Sequence, residues 1–171
     1  MRARVVVGTG GSLGSLAALH RAAVEARARD AELWAVLAWQ PPGGGLGSRN
    51  PCGMAGLEGC RVAAADQLRE ALDTAFGGYR PGLVPVALTV RGTPGAALVD
   101  CVRDPDDLIV VGTGRRGGLF GALRPSVARY CMAHAPSPVL AVPPSPLQAD
   151  LAAVRRRNAW RVPLGVGDVV R

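Results

Sequence analysis

The sequence contains no lysine: all 20 of its basic residues are arginine. A Walker A lysine, a Schiff-base lysine and the Tyr-Lys pair of short-chain dehydrogenases are therefore all excluded. Histidine is scarce as well, with only His20 and His134. The four cysteines (Cys52, Cys60, Cys101 and Cys131) form no C-x-x-C pair. Together these counts argue against a Cys/His zinc site and for reduced, partly buried thiols. Cys52 lies in a Gly/Pro loop, where an exposed reactive thiol is the alternative. Aromatic residues make up 4% of the chain, too few for base-stacking platforms. No apolar run reaches the roughly 18 residues that cross a bilayer. The opening Met-Arg-Ala-Arg-Val-Val-Val-Gly runs straight into a strand pattern without a signal-peptide core, so a cytosolic location is expected.

What is present describes a folded domain. The chain has 171 residues, of which 49% are apolar and 19% charged. That length suits one domain with a sizeable core, and that composition excludes a disordered chain. The net charge of +7 invites a nucleic-acid partner. The arginines are spread along the chain, however, and cluster only near the C-terminus, which argues against one.

Strand and helix patterns alternate. Arg4 to Gly8 reads as a strand, and Ser12 as the cap of a helix carrying Leu16, Leu19, Ala23 and Ala26 at helical spacing. Glu32 to Trp39 reads as a strand buried on both faces. Pro41 to Gly56 is a long Gly/Pro-rich loop, of a length uncommon unless functional or mobile. Leu57 to Phe76 is predicted as a helix with Val62, Leu68 and Leu72 inward. Pro85 to Val90 is a third strand, and Thr93-Pro94 opens a helix to Val102. Leu108 to Val111 is a fourth strand, followed by a glycine-rich loop from Gly112 to Gly121. A short helix over about Ser126 to His134 precedes a fifth strand, Pro138 to Val142. This alternation predicts a doubly wound α/β domain with a parallel sheet and helices on both faces. Ligands bind such sheets outside the strand carboxyl ends, where the winding reverses. The loops Gly8–Ser12 and Gly112–Gly121 are the candidates to flank that crevice. Asp104, Asp106 and Asp107 read as turn residues before the fourth strand rather than as metal ligands.

The run LIVVGTGRRGGLFGALRPSVARYCMAHAPSPVLAV over residues 108 to 142 carries a resemblance. With VVVGTGGS at 5 to 12 and GTPGAAL at 92 to 98, it closely resembles the universal stress protein family over about residues 4 to 143. The resemblance implies a five-stranded sheet in the order 3-2-1-4-5, a domain over 1–143 and a C-terminal extension over 144–171. It implies dimerisation through the last strand, Pro138 to Val142. Nucleotide-binding members have G-x-x-G, a nine-residue spacer, then G-[S/T]. Here Gly112 matches the first glycine and Ser126 the hydroxyl position, while Arg115 and Pro125 stand where the other two glycines belong. Gly10 stands where binding members have an aspartate. Proline has no N–H to offer a phosphate, whereas an arginine binds one by charge. The implied crevice comprises Gly8, Thr9, Gly10, Val36, Gly112, Thr113, Gly114, Arg115, Arg116, Ser126 and Val127.

The sequence thus supports a non-catalytic binding or regulatory module with a degenerate nucleotide crevice. ATP or AMP held by Arg115 and Arg116, with slow hydrolysis at most, is the alternative. Partner binding through the basic tail, with Arg155-Arg156-Arg157, is a further one.

Overall fold

The structure is a computed structural model that describes residues 2–10, 12–41, 54–77, 82–113 and 126–143. Five strands form its sheet: β1 (Arg4–Gly8), β2 (Glu32–Trp39), β3 (Val86–Arg91), β4 (Leu108–Gly112) and β5 (Val139–Val142). Helices α1 (Leu13–Ala28), α2 (Met54–Phe76), α3 (Pro94–Cys101) and α4 (Val127–His134) connect them. All four strand pairs are parallel, in the order β3-β2-β1-β4-β5.

The order follows from burial. Strands covered on both faces must be apolar throughout, and the central pair are. Val5, Val6, Val7, Ile109 and Val110 are completely buried. Alternate side chains feed two cores, one on each face of the sheet. Val5, Val7 and Val110 pack with Leu19, Leu33 and Leu68 on the α1/α2 side. Val6, Val36, Ile109 and Val111 pack with Leu98 and Cys131 on the α3/α4 side.

Local signals place the helices. Ser12 caps α1 by accepting the Ser15 N–H at 3.2 Å, and Ser126 caps α4 by accepting the Arg129 N–H at 3.1 Å. Pro94 sits at the start of α3, where its missing N–H costs nothing. α1 ends through Asp30, held at φ 49, so that the Ala31 N–H reaches Ala26 O.

Three expectations need correction. Val62 is exposed rather than inward. The buried stripe of α2 runs through Ala64, Leu68 and Ala71. Val62 lies roughly 120° around the helix from Leu68, at about 100° per residue. The helix also begins at Met54, three residues before the expected start at Leu57, so the loop ends earlier than Gly56. Pro85 and Pro138 precede their strands instead of opening them, since proline lacks the N–H the ladder uses. Residues 42–53 of that loop, Cys52 among them, lie outside the described residues.

The aspartates before β4 form a turn. The Asp107 side chain is buried and accepts three backbone N–H groups, from Arg4 at 2.8 Å, Arg103 at 2.9 Å and Asp104 at 3.1 Å. One carboxylate therefore ties the start of β1 to the turn that feeds β4. Asp104 accepts the Asp106 N–H in the same turn. Nearby, the Arg4 guanidinium lies 4.4 Å over the Trp34 ring, whose Nε1–H donates to Glu32.

Candidate nucleotide crevice

The winding reverses between β1 and β4. β1 leads through α1 to β2 on one side, and β4 leads through α4 to β5 on the other. The loops that leave β1 and β4 therefore part at the carboxyl edge of the sheet. Gly8, Thr9, Gly10, Gly112 and Thr113 sit there together. Val36 is in register with Gly8 on the neighbouring strand. Ser126 and Val127 open α4, which packs back on β4 and β5. Gly114, Arg115 and Arg116 lie outside the described residues, as does Pro125.

The two central glycines are held by packing. A Cβ on Gly112 would lie 2.6 Å from the Gly14 carbonyl oxygen in the first turn of α1. A Cβ on Gly8 would lie 3.0 Å from Leu98 Cδ1 of α3. Backbone thus meets backbone where α1 crosses the end of β4.

Both threonines turn outward. The Thr9 N–H donates to Val36 O at 2.8 Å, and its Oγ1–H donates to the same oxygen at 3.2 Å. The Thr113 N–H donates to Val142 O at 2.8 Å, and its Oγ1–H donates to that oxygen at 3.1 Å. Val36 is 1% exposed and its carbonyl already accepts twice, so it offers a ligand neither side chain nor carbonyl. The signal for this arrangement is a repeat, Val-Val-Gly-Thr-Gly, at residues 6–10 and again at 110–114.

Among the described residues no group of three or more His, Cys, Asp or Glu side chains is placed to hold a metal. His20 is exposed and meets Phe76 edge-on, and His134 stacks on Tyr130 at 4.2 Å. Burial pushes the Cys131 thiol up to about 11 and raises that of Cys101 as well. These are the thiols of a core, not of a nucleophile.

A five-stranded parallel sheet wound both ways from β1 and β4 defines a doubly wound α/β protein. The model of the "Universal stress protein family" matches residues 1–143. A universal stress protein solved in complex with cAMP is 31% identical; the match covers 84% of this chain and 99% of that one, with a TM-score of 0.62. The universal stress protein UspA from Lactobacillus plantarum shares 21% identity over 82% of this chain and 97% of that one, with a TM-score of 0.60. A family protein from Burkholderia pseudomallei shares 22% over 84% and 97%, with a TM-score of 0.59. The last two show the fold alone. No similar protein was found among curated proteins. The chain belongs to the universal stress protein family.

Proposed function

We propose that this protein is a non-catalytic regulatory module that takes an adenine mononucleotide into the β1/β4 crevice. The observation that carries the reading is the switch-point geometry, with α1 and α4 both opening at the edge where the two Gly-Thr-Gly loops part. The relative solved with cAMP, 31% identical, supports an adenine nucleotide with one phosphate. So do the departures from the phosphate motif. Arg115 and Pro125 replace two of the glycines that bring backbone amides up to a phosphate chain. One phosphate needs fewer such amides than three. The reading assigns binding alone, without turnover.

Calorimetric titration with cAMP, AMP and ATP tests this. Binding of cAMP or AMP at least tenfold tighter than ATP, with no phosphate released from ATP, is the expected result. ATP as the tightest ligand would move the reading to the alternative, in which Arg115 and Arg116 hold the phosphates. The same module is read as a homodimer through β5, a four-residue apolar edge strand (Val-Leu-Ala-Val) with no further strand beside it among the described residues. Sedimentation at micromolar concentration distinguishes dimer from monomer.

A further inference from the structure

The two threonine clasps are alike in geometry and unlike in footing. Each leaves a central strand and donates twice to one carbonyl of the outer neighbour. Both therefore bond away from the β1/β4 switch point, toward the outer strands. Thr9 is buried, and its acceptor lies in the middle of the eight-residue β2. Thr113 is exposed, and its acceptor Val142 is the last residue of the four-residue edge strand β5. β2 pairs with β1 on one side and β3 on the other, whereas among the described residues β5 pairs with β4 alone, its Leu140 and Val142 packing beneath against the α1 side of the core. The Thr9 clasp is therefore fixed by its surroundings, and the Thr113 clasp is the one able to open.

From this asymmetry we infer that Thr113 couples occupancy of the crevice to the pairing of β5. This rests on the proposed nucleotide reading and adds regulation to it. The residue belongs to both places. Its backbone starts the loop on the β4 side of the crevice, and its N–H and hydroxyl hold the end of the edge strand. A ligand that fixes the start of that loop holds Val142 in the sheet. With the crevice empty, the two Thr113 hydrogen bonds add to the β4 pairing and core packing of Val142 from an exposed position, one of them from a side-chain hydroxyl. A net hydrogen bond of ordinary strength sets the scale of the effect at about fivefold in the opening equilibrium. The expected output is the order of the β5 edge, the surface that a second copy or another strand would read.

Amide hydrogen exchange on the full chain tests the coupling, with Thr113→Val to remove the hydroxyl and Thr113→Ser to keep it. In the wild type, cAMP should slow exchange at Thr113 and across residues 139–142. In Thr113→Val, ligand-free exchange there should be about fivefold faster. In that variant, cAMP added to saturation as judged by titration should no longer slow β5 to the wild-type rate. Thr113→Ser should restore both. If cAMP binds the wild type and leaves β5 exchange unchanged, or if Thr113→Val behaves as wild type, the coupling is wrong. If no adenine nucleotide binds, the proposed function fails and the coupling with it. The ligand-free comparison of the valine and serine variants then still decides whether the clasp holds β5.

Discussion

Replacing Gly112 by alanine separates two reasons for a glycine at the end of β4. If glycine is there only to let a phosphate approach, an added methyl group harms ligand binding and leaves the fold alone. The structure says otherwise. The new Cβ would stand 2.6 Å from Gly14 O and 3.0 Å from Gly14 C, both backbone atoms in the first turn of α1. No side-chain rotation relieves that contact, so the helix or the strand must shift. Forced overpacking of this kind costs about 1–3 kcal/mol. For a domain of this size each kcal/mol lowers Tm by roughly 3–5 °C. Gly59→Ala supplies the opposite sign. Gly59 lies within α2, and its Cβ would meet nothing within 4 Å. Alanine there should stabilise by about 0.5–1 kcal/mol. Urea unfolding of both variants without ligand reads the two effects. Gly112→Ala as stable as wild type would refute the packing argument.

Other perturbations follow from single contacts. Asp107→Ala strands three backbone N–H groups and should cost about 2–4 kcal/mol in denaturant unfolding, with Asp107→Asn intermediate. The Cys131 thiol, raised by burial from 9.0 to about 11, favours the folded state only while protonated. Its contribution is full below pH 9 and falls as pH rises toward 11. Stability measured across that window should decline, and Cys131→Ala should flatten the decline. The Ser137 hydroxyl is buried without a hydrogen-bond partner among the described residues. Ser137→Ala should therefore raise stability by about 1 kcal/mol, and a drop would show that the hydroxyl is satisfied.

Much of the architecture was legible because the burial of each central strand is written in it. Val5-Val6-Val7 and Leu108-Ile109-Val110-Val111 are apolar without alternation, as strands covered on both faces must be. Ser12, Pro94 and Ser126 mark helix starts through local chemistry alone. What stayed hidden depends on partners far along the chain. Asp107 looks like a turn residue until its carboxylate is seen to reach Arg4, 103 positions away. Thr9 and Thr113 look like loop residues until their hydroxyls meet carbonyls 27 and 29 positions on. Val62 was misread because helix spacing tolerates more than one apolar stripe, and only packing selects between them. At the carboxyl edge of the sheet, Gly8, Thr9, Gly10, Gly112 and Thr113 were placed by the strand pattern. That Gly112 meets a helix backbone was not, because a glycine records the absence of a side chain and not its cause.

The central claim is that an adenine mononucleotide enters between the loops that leave β1 and β4. Gly10 is exposed at the carboxyl edge of the sheet, next to the end of β1. Titrating cAMP into the wild type and into Gly10→Leu, with unfolding midpoints measured in parallel, tests the claim most directly. The account predicts one site per chain in the wild type and at least tenfold weaker binding in Gly10→Leu at unchanged stability. Equal binding by the two proteins, or no binding by the wild type, would contradict it.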